Sequence, residues 1–228
     1  MDWLLAVDIY CERTSLAFWA EPINALSNLA FPIAALWAAV EAKRRQIATP
    51  VIWVLITMAA LIGFGSFLFH TFANVWSELA DTLPIWSFVA LFVFTAIHRI
   101  GGVKPGKLAA IALGMAALVT VMFLATGEGQ TSTAPDPLNG SGQYAPAVIA
   151  LLVFAVLSYR RRHPMWHWIS ATAAVFLLSL TARTFDMALC PSLPIGTHFI
   201  WHILNALMIG LLLQVLVRSP VKNPAKTA

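Results

Sequence analysis

Charged residues are scarce in this chain of 228 residues. Asp, Glu, Lys and Arg together make up 11% of the sequence, whereas a soluble domain contains about 25%. Hydrophobic residues make up 60%, so the polar side chains are too few to cover a water-soluble globule. The composition therefore excludes a cytosolic enzyme and a nucleic-acid-binding domain. It predicts a single domain, residues 1–228, embedded in a membrane.

Polar interruptions are rare enough to leave seven apolar stretches. A helix needs roughly 20 apolar residues to cross the hydrocarbon layer, and it satisfies its own backbone hydrogen bonds there. We therefore predict an all-α integral membrane bundle of seven transmembrane helices. The predicted spans are residues 24–42, 50–72, 81–98, 107–126, 144–159, 166–186 and 198–217.

Basic residues are nearly absent from one side of this seven-span arrangement. Twelve of the 14 Lys and Arg residues follow spans 1, 3, 5 and 7, and only Arg13 and Arg183 fall on the other side. The positive-inside rule then places the N-terminus and the acidic segment 1–23 outside, and the C-terminal tail 218–228 in the cytoplasm. The short loops favour a bacterial inner membrane.

Lysine is missing from the interior of the spans, because all five lysines fall in the predicted inner loops or the tail. A light-driven retinal pump needs such a lysine for its Schiff base, so this class is excluded. The prolines near the spans form no repeated pattern. A transporter with paired broken helices is therefore disfavoured as well.

Three of the six histidines fall at the outer ends of spans 2 and 7. His198 and His202 are four residues apart, so they share one helix face with Cβ atoms roughly 5–6 Å apart, and topology brings His70 to the same end of the bundle. Three imidazoles fit an open zinc site with water as fourth ligand, although such a pair in a soluble helix is often incidental. We expect this site near the periplasmic side. The other three histidines, His98, His163 and His167, are interpreted as interfacial residues at the inner ends.

Two further polar residues belong near this predicted metal site. Ser66 lies one turn before His70, and Asp81 lies at the predicted start of span 3. Asp81 could act as general base and then as acid, and Ser66 could hydrogen-bond a carbonyl oxygen as charge develops. The alternatives are a small packing residue for Ser66 and a helix N-cap for Asp81.

The chain has only two cysteines, Cys11 and Cys190, and both map to the outer side. An oxidising compartment favours a disulfide between them, and the alternative is two buried free thiols. Span 1 also carries three polar residues on one face. Asn24, Ser27 and Asn28 are expected to support a metal site from behind its ligands, or to hydrogen-bond a neighbouring helix.

Six short motifs follow one another along nearly the whole chain. They are DIYCE with Asp8, Cys11 and Glu12; EPINALSN with Glu21, Asn24, Ser27 and Asn28; SFLFH with Ser66 and His70; LADTLP with Asp81; DMALC with Asp186 and Cys190; and HFIWH with His198 and His202. Their order and spacing resemble the alkaline ceramidase family, within a membrane hydrolase superfamily that also includes adiponectin-receptor-like proteins. The resemblance implies seven transmembrane helices and zinc-dependent hydrolysis of the ceramide amide. It implies His70, His198 and His202 as zinc ligands, Ser66 and Asp81 beside the metal, and a Cys11–Cys190 disulfide.

The same resemblance implies a calcium site in the N-terminal segment. Asp8, Glu12 and Glu21 match ligand positions, with Ile9 at a backbone-carbonyl position, and carboxylate oxygens suit calcium. The segment departs from the family pattern, because DIYCE has one extra residue and Thr14 stands near a position where the family has Asn. The stretch between Glu12 and Glu21 is also shorter. The alternative is that these acids cap span 1 or pair with Arg13 and Arg183.

Taken together, these features predict a zinc-dependent intramembrane amidase, with calcium as a second ion. The expected partner is a membrane lipid, ceramide or a related N-acyl lipid, and no nucleic acid. Two alternatives stay open. One is a hydrolase of a different acyl lipid, either an amide or an ester. The other is a metal-gated seven-helix receptor without catalysis.

Overall fold

The computed structural model describes residues 2–110, 112–114 and 136–219. This part of the chain is helical and contains no β-strand, which agrees with the predicted all-α class. Residues 105–110 and 112–114 are also helical. The labelled helices are α1 (Pro22–Ser27), α2 (Ala30–Arg44), α3 (Pro50–Phe72), α4 (Val75–Arg99), α5 (Ala145–Arg160), α6 (Trp166–Leu189) and α7 (His198–Arg218), and a 3-10 turn, Ser141–Tyr144, precedes α5.

Six helical segments of the described chain are long and apolar enough to cross a membrane, which makes the chain a multi-pass membrane protein. They correspond to predicted spans 1, 2, 3, 5, 6 and 7. Span 4, residues 107–126, lies mostly outside the described residues, as does most of the tail 218–228, so the count of seven and the orientation stay predictions. The six segments are Pro22–Arg44, Pro50–Phe72, Val75–Arg99, Ser141–Arg160, Trp166–Leu189 and His198–Arg218.

The first span is broken into α1 and α2. Pro32 has no backbone N–H, so it cannot donate to the carbonyl of Asn28 four residues earlier. The amide of Phe31 donates to that carbonyl instead, at 3.1 Å. This tighter turn interrupts the α-helix between Ser27 and Ala30. As a result, α1 forms a short separate element that contacts α3 and α7.

Helix α7 is at the centre of the described bundle, packed against α1, α2, α3 and α6. Its apolar stretch is 67% buried, compared with 6% for the segment that contains α5. Leu213 and Leu216 are completely buried in the core next to Ile52 and Leu55 of α3. A residue at the start of α7 is therefore surrounded by protein on several sides, and this is where two of the three candidate histidine ligands lie.

Helices α3 and α4 come unusually close at Gly65. A Cβ atom on Gly65 would lie only 2.0 Å from the carbonyl oxygen of Ala80, so a larger residue cannot occupy this position without separating the helices. The neighbouring residues on the two helices are Ser66 and Asp81. The close packing therefore brings these two predicted site residues together.

Helix α4 starts six residues before the predicted start of span 3. The Asn74 side chain accepts a hydrogen bond from the amide of Ser77 at 3.2 Å, and the Ser77 hydroxyl accepts one from the amide of Asn74 at 3.1 Å. This reciprocal arrangement is a capping box. The alternative interpretation of Asp81 as the N-cap is therefore wrong, because Asp81 lies in the second turn of α4 and Asn74 is the cap.

The N-terminal segment is fastened across one end of the bundle. Cys11 and Cys190 form a disulfide, which confirms the predicted pairing and excludes free thiols. The amide of Val7 donates to the carbonyl of Ala73 at 2.8 Å, and the amide of Val75 donates to Leu5 at 3.2 Å. The segment is thus bonded to the α3–α4 turn and to the loop that leads to α7.

The opposite end of the bundle carries a cluster of basic residues around one buried acid. Glu41 of α2 forms ion pairs with Arg44, Arg45 and Arg218. Since Arg218 ends α7 and His198 begins it, about 30 Å of helix separates this cluster from the histidines. The two ends of the bundle therefore differ strongly in charge.

Candidate metal centre and cavity

The three predicted histidine ligands converge. His70 lies in the last turn of α3, and His198 and His202 occupy the first turns of α7. The Nε2 atoms of His70 and His202 are 3.1 Å apart, and one nitrogen of each of the three rings lies within 4.8 Å of the other two. All three side chains are almost completely buried. Within the described residues, this is the cluster of His, Cys, Asp or Glu side chains that could hold a metal ion.

The donor set fits zinc. Three imidazole nitrogens with room for a water are the ligands of many catalytic zinc sites. His198 also has a buried Nδ1 atom without a hydrogen-bond partner, and buried polar atoms of this kind call for an explanation. A metal bound by these rings would leave fewer polar groups unsatisfied and would relieve the crowding of three imidazoles.

Two of the imidazoles are oriented through their Nδ1 atoms. His70 Nδ1 lies 2.6 Å from a Glu21 carboxylate oxygen, and His202 Nδ1 lies 2.7 Å from the Ser27 hydroxyl. Such bonds fix the tautomer and ring angle of metal-binding histidines. They leave Nε2 of both rings directed at the shared centre. Of the three polar residues of span 1 expected to support a metal site, Ser27 is the one whose side chain contacts a histidine ring.

The side chains of the two asparagines of span 1 bond to other residues of the N-terminal region rather than to the histidine rings. Asn24 donates from Nδ2 to the Glu21 carboxylate at 3.1 Å, and Asn28 donates from Nδ2 to the backbone carbonyl of Asn24 at 2.9 Å. Asn24 thus holds the carboxylate that orients His70, whereas Asn28 stabilises the short helix α1. Neither one contacts a histidine ring through these bonds.

Asp186 fixes the start of α7. Its Oδ1 accepts from the amides of Thr197 at 2.7 Å and His198 at 2.9 Å, and its Oδ2 accepts from the amide of Cys11 at 3.0 Å. One carboxylate from α6 therefore caps α7 and joins it to the disulfide segment. Gly196 has a φ of +63°, and a Cβ atom there would lie 2.1 Å from Asp186 Oδ1.

Asp81 is the acid nearest the candidate metal centre on α4. It interacts with Ser66 and lies within electrostatic range of His70, and its Oδ1 atom is buried without a hydrogen-bond partner. Asp81 and Ser66 line a cavity of about 90 Å³ together with His198 and His202. A cavity of this size holds several water molecules. An acid with one unpartnered oxygen thus lines a small cavity beside two of the histidines.

Tyr10 and Arg183 also line this cavity, and sequence reasoning assigned neither of them a role there. The Tyr10 ring stacks on His198 with centroids 3.7 Å apart, and Arg183 Nη1 donates to the Tyr10 hydroxyl at 2.9 Å. Burial raises the pKa of Tyr10 well above its usual value, although the nearby Arg183 opposes this. The phenol therefore stays protonated at neutral pH. The feature of the sequence that could have indicated this pair is Arg183, because it is one of only two basic residues on the predicted outer side.

Arg183 is a buried cation held by aromatic rings. Its guanidinium carbon lies 5.7 Å from the ring centroids of Tyr10 and Trp201 and 5.8 Å from that of Tyr144, which are favourable cation–π distances. It forms no ion pair with a carboxylate of the described chain, and its buried Nε atom has no hydrogen-bond partner. Arg183 therefore brings to the cavity a positive charge that no direct ion pair within the described residues neutralises.

The residues that the family resemblance assigns to calcium are used differently. Glu12 accepts from the amides of Ile23 and Asn24, each at 2.8 Å, so it caps α1. Glu21 bonds Arg13 and His70. Asp8 is exposed, as is Ile9. Burial acts to raise the pKa of Glu21, but its hydrogen bonds to His70, Asn24 and Arg13 lower that pKa below the usual value. As arranged here, these groups do not fit a calcium ion, because the carboxylates of Glu12 and Glu21 are bonded to other partners.

The fold and the site together define a class: a multi-pass membrane protein with three buried histidines and an acid at one end of its bundle. The model of the ceramidase family matches residues 8–226. Since this covers nearly the whole chain, the chain belongs to the ceramidase family, whose members are hydrolases of amide bonds in ceramide-like substrates. A comparison with curated proteins gives no match.

Proposed function

We propose that this protein is a zinc-dependent intramembrane amidase that hydrolyses ceramide or a related N-acyl lipid to a free fatty acid and an amine. The observation that carries the proposal is the convergence of three buried imidazoles, two of which, His198 and His202, line one small cavity together with Asp81. His70, His198 and His202 would hold the metal. When bound in such a site, zinc polarises a carbonyl group and lowers the pKa of its water.

Asp81 is assigned the proton transfers. Its free Oδ1 atom is buried and its side chain lines the cavity, so it can accept the proton of the attacking water. It can then deliver that proton to the amide nitrogen as the carbon–nitrogen bond breaks. A carboxylate that acts first as base and then as acid returns to its starting state at the end of the cycle.

Ser66 and Tyr10 are assigned to the carbonyl oxygen of the substrate. A guanidinium has only donors, so Tyr10 accepts in its bond with Arg183 and keeps its own O–H proton for another acceptor. The Ser66 hydroxyl also lines the cavity and interacts with Asp81. Two donors directed at one oxygen would stabilise the negative charge that develops there.

The position of the site suits an amphiphilic substrate. The histidines lie at one end of the bundle, where the N-terminal segment covers them, and the membrane-facing surface of the helices is apolar. A lipid can thus keep its acyl chain in the bilayer while its amide enters the cavity. The positive-inside rule assigns the end with most basic residues to the cytoplasm. We therefore place the histidine end at the periplasmic side of a bacterial inner membrane.

Elemental analysis and product analysis on the purified protein test the proposal. Wild-type protein should contain one zinc per chain and release fatty acid from ceramide, and His202→Ala should lose both zinc and activity. His167→Ala is the matched control, because His167 is exposed at the other end of the bundle and stacks on Trp166. A His202→Ala variant that is active without zinc would contradict the proposal. Stoichiometric zinc without hydrolysis of any acyl lipid would favour the receptor alternative.

Arg183 supports a second substrate candidate for the same chemistry. A buried guanidinium without a carboxylate partner is costly, and a substrate carboxylate would compensate its charge. The second candidate is therefore an N-acyl amino lipid whose head group carries a carboxylate. If it is the substrate, Arg183→Gln should raise its KM by tenfold or more while leaving the KM for neutral ceramide within about twofold.

A further inference from the structure

Arg13 is a buried guanidinium, and each of its three nitrogen atoms donates a hydrogen bond to an oxygen atom. Its Nε donates to the Glu21 carboxylate, its Nη1 to the carbonyl of Ser15 at 3.1 Å, and its Nη2 to the carbonyl of His70 at 3.0 Å. The Arg13 side chain is 1% exposed. One carboxylate and two carbonyls are the kinds of oxygen ligand that a hard metal cation would also collect.

We propose that the Arg13 guanidinium acts as a built-in cation that takes the place of calcium in this protein. In this role Arg13 is a positioning residue. It holds the Glu21 carboxylate against the His70 imidazole and ties the N-terminal segment to the last turn of α3. The protein is then active without calcium, in contrast to what its family resemblance implies.

The reason a cation is needed lies in Glu21. This carboxylate is 2% exposed, and a buried carboxylate without a counter-charge is strongly destabilising. One of its oxygens bonds Arg13, and the other lies 2.6 Å from His70 Nδ1. A neutral imidazole cannot balance the charge of the carboxylate, whereas a guanidinium does so permanently.

The surrounding groups leave little for a calcium ion to bind. Calcium takes about six to eight oxygen ligands, but both carboxylate oxygens of Glu12 accept backbone amides of α1. Glu21 is already bonded on both sides, and Asp8 is exposed. A divalent cation beside Glu21 would also be repelled by Arg13 in a region where water screens poorly.

Arg13 influences His70 by two routes. It binds the backbone carbonyl of His70 directly, and it binds the imidazole through Glu21. Loss of an orienting partner behind a metal ligand typically weakens metal binding about 10–100-fold. This part of the proposal rests on the proposed role of His70 as a zinc ligand, whereas the calcium part does not depend on hydrolysis or on zinc.

The first experiment measures calcium binding directly. Wild-type protein is passed over a chelating resin, resupplied with zinc and titrated with terbium, a luminescent calcium substitute, and then with calcium in a calorimeter. We expect no saturable binding of either ion below about 1 mM and no change in thermal midpoint. Binding of one calcium per chain in the micromolar range would overturn the proposal whether or not the protein is an amidase.

The second experiment changes the cation. Arg13→Met should weaken zinc binding about 10–100-fold, and added calcium should restore part of the loss, while Arg13→Lys should retain more affinity because it keeps the charge. Arg44→Met is the matched control, since Arg44 pairs with Glu41 at the other end of the bundle. Unchanged zinc affinity in Arg13→Met would overturn the positioning role. If Arg13→Met does not fold, the zinc affinity of Arg13→Lys tests the positioning role, and the calcium titration of the wild type tests the replacement of calcium.

Discussion

At the scale of single residues, the site separates side chains that hold a metal from those that handle protons. Three imidazoles have their Nδ1 or ring faces engaged by Glu21, Ser27 and Tyr10, which fixes where each ring points. Asp81 instead keeps one carboxylate oxygen free. Substitution of a histidine should therefore remove the metal, whereas substitution of Asp81 should remove proton transfer.

Asp81→Asn should abolish proton transfer without removing the metal. The amide is nearly the same size as the carboxylate but cannot accept a proton at neutral pH, so we expect kcat to fall about 10²–10⁴-fold. Zinc content should stay at the wild-type value because Asp81 is not among the three ligands. Measurement of kcat and zinc on the same preparation checks both points. Loss of zinc together with activity would make Asp81 a ligand or a structural residue instead.

Tyr10→Phe should lower kcat while preserving the site. The substitution keeps the ring that stacks on His198 and removes only the hydroxyl, so zinc content should not change. Removal of one donor to a developing negative charge costs about 10²–10³-fold in kcat. Tyr144→Phe is a suitable comparison, because Tyr144 also lines the cavity but stacks on Trp86 rather than on a histidine. Equal effects of the two substitutions would argue against a specific role for Tyr10.

At the scale of helices and loops, apolar run length predicted where most helices lie but not how they begin. The second span was predicted as residues 50–72, and α3 occupies Pro50–Phe72, because proline at the start and a long apolar run leave little ambiguity. The start of α4 was predicted too late, since its first turn is polar and its cap at Asn74 uses Ser77 rather than Glu or Gln. The break between α1 and α2 follows from the missing N–H of Pro32, a signal that was available.

The start of α7 depends on Gly196. We expect Gly196→Ala to destabilise the protein by about 2 kcal/mol or more, because it adds a clash with Asp186 to a left-handed backbone. Zinc content should fall as well, since Asp186 positions His198. Thermal unfolding and zinc analysis measure the two effects. Gly106→Ala is the control, because a Cβ at Gly106 meets no atom within 4 Å, and a Gly196→Ala variant as stable as this control would refute the account of the turn.

At the scale of the whole molecule, distant parts of the chain are tied together at the histidine end. The disulfide joins residues 179 positions apart, and the buried carboxylate of Asp186 bonds both the Cys11 backbone and the start of α7. The convergence of His70, His198 and His202 could be predicted, because helix direction alone brings the outer ends of spans 2 and 7 together. The Arg13–Glu21–His70 and Arg183–Tyr10 contacts could not, because they depend on the path of a loop without regular structure.

Removal of the disulfide should destabilise the protein without changing the chemistry. Loss of a native disulfide typically costs about 2–5 kcal/mol, so Cys11→Ser with Cys190→Ser should lower the thermal midpoint accordingly. At low temperature we expect kcat to stay within a few-fold of wild type, because neither sulfur contacts the metal centre. Unchanged stability after removal of both cysteines would show that the N-terminal segment is held by its other contacts.

The central claim is that His70, His198 and His202 bind one zinc ion. Zinc K-edge X-ray absorption on the purified protein tests this most directly. We predict a first shell of three imidazole nitrogens and one oxygen at about 2.0 Å, and no bound zinc to measure in His202→Ala. A shell that contains sulfur, a shell with fewer than three imidazoles in the wild type, or protein that binds no zinc would contradict the account.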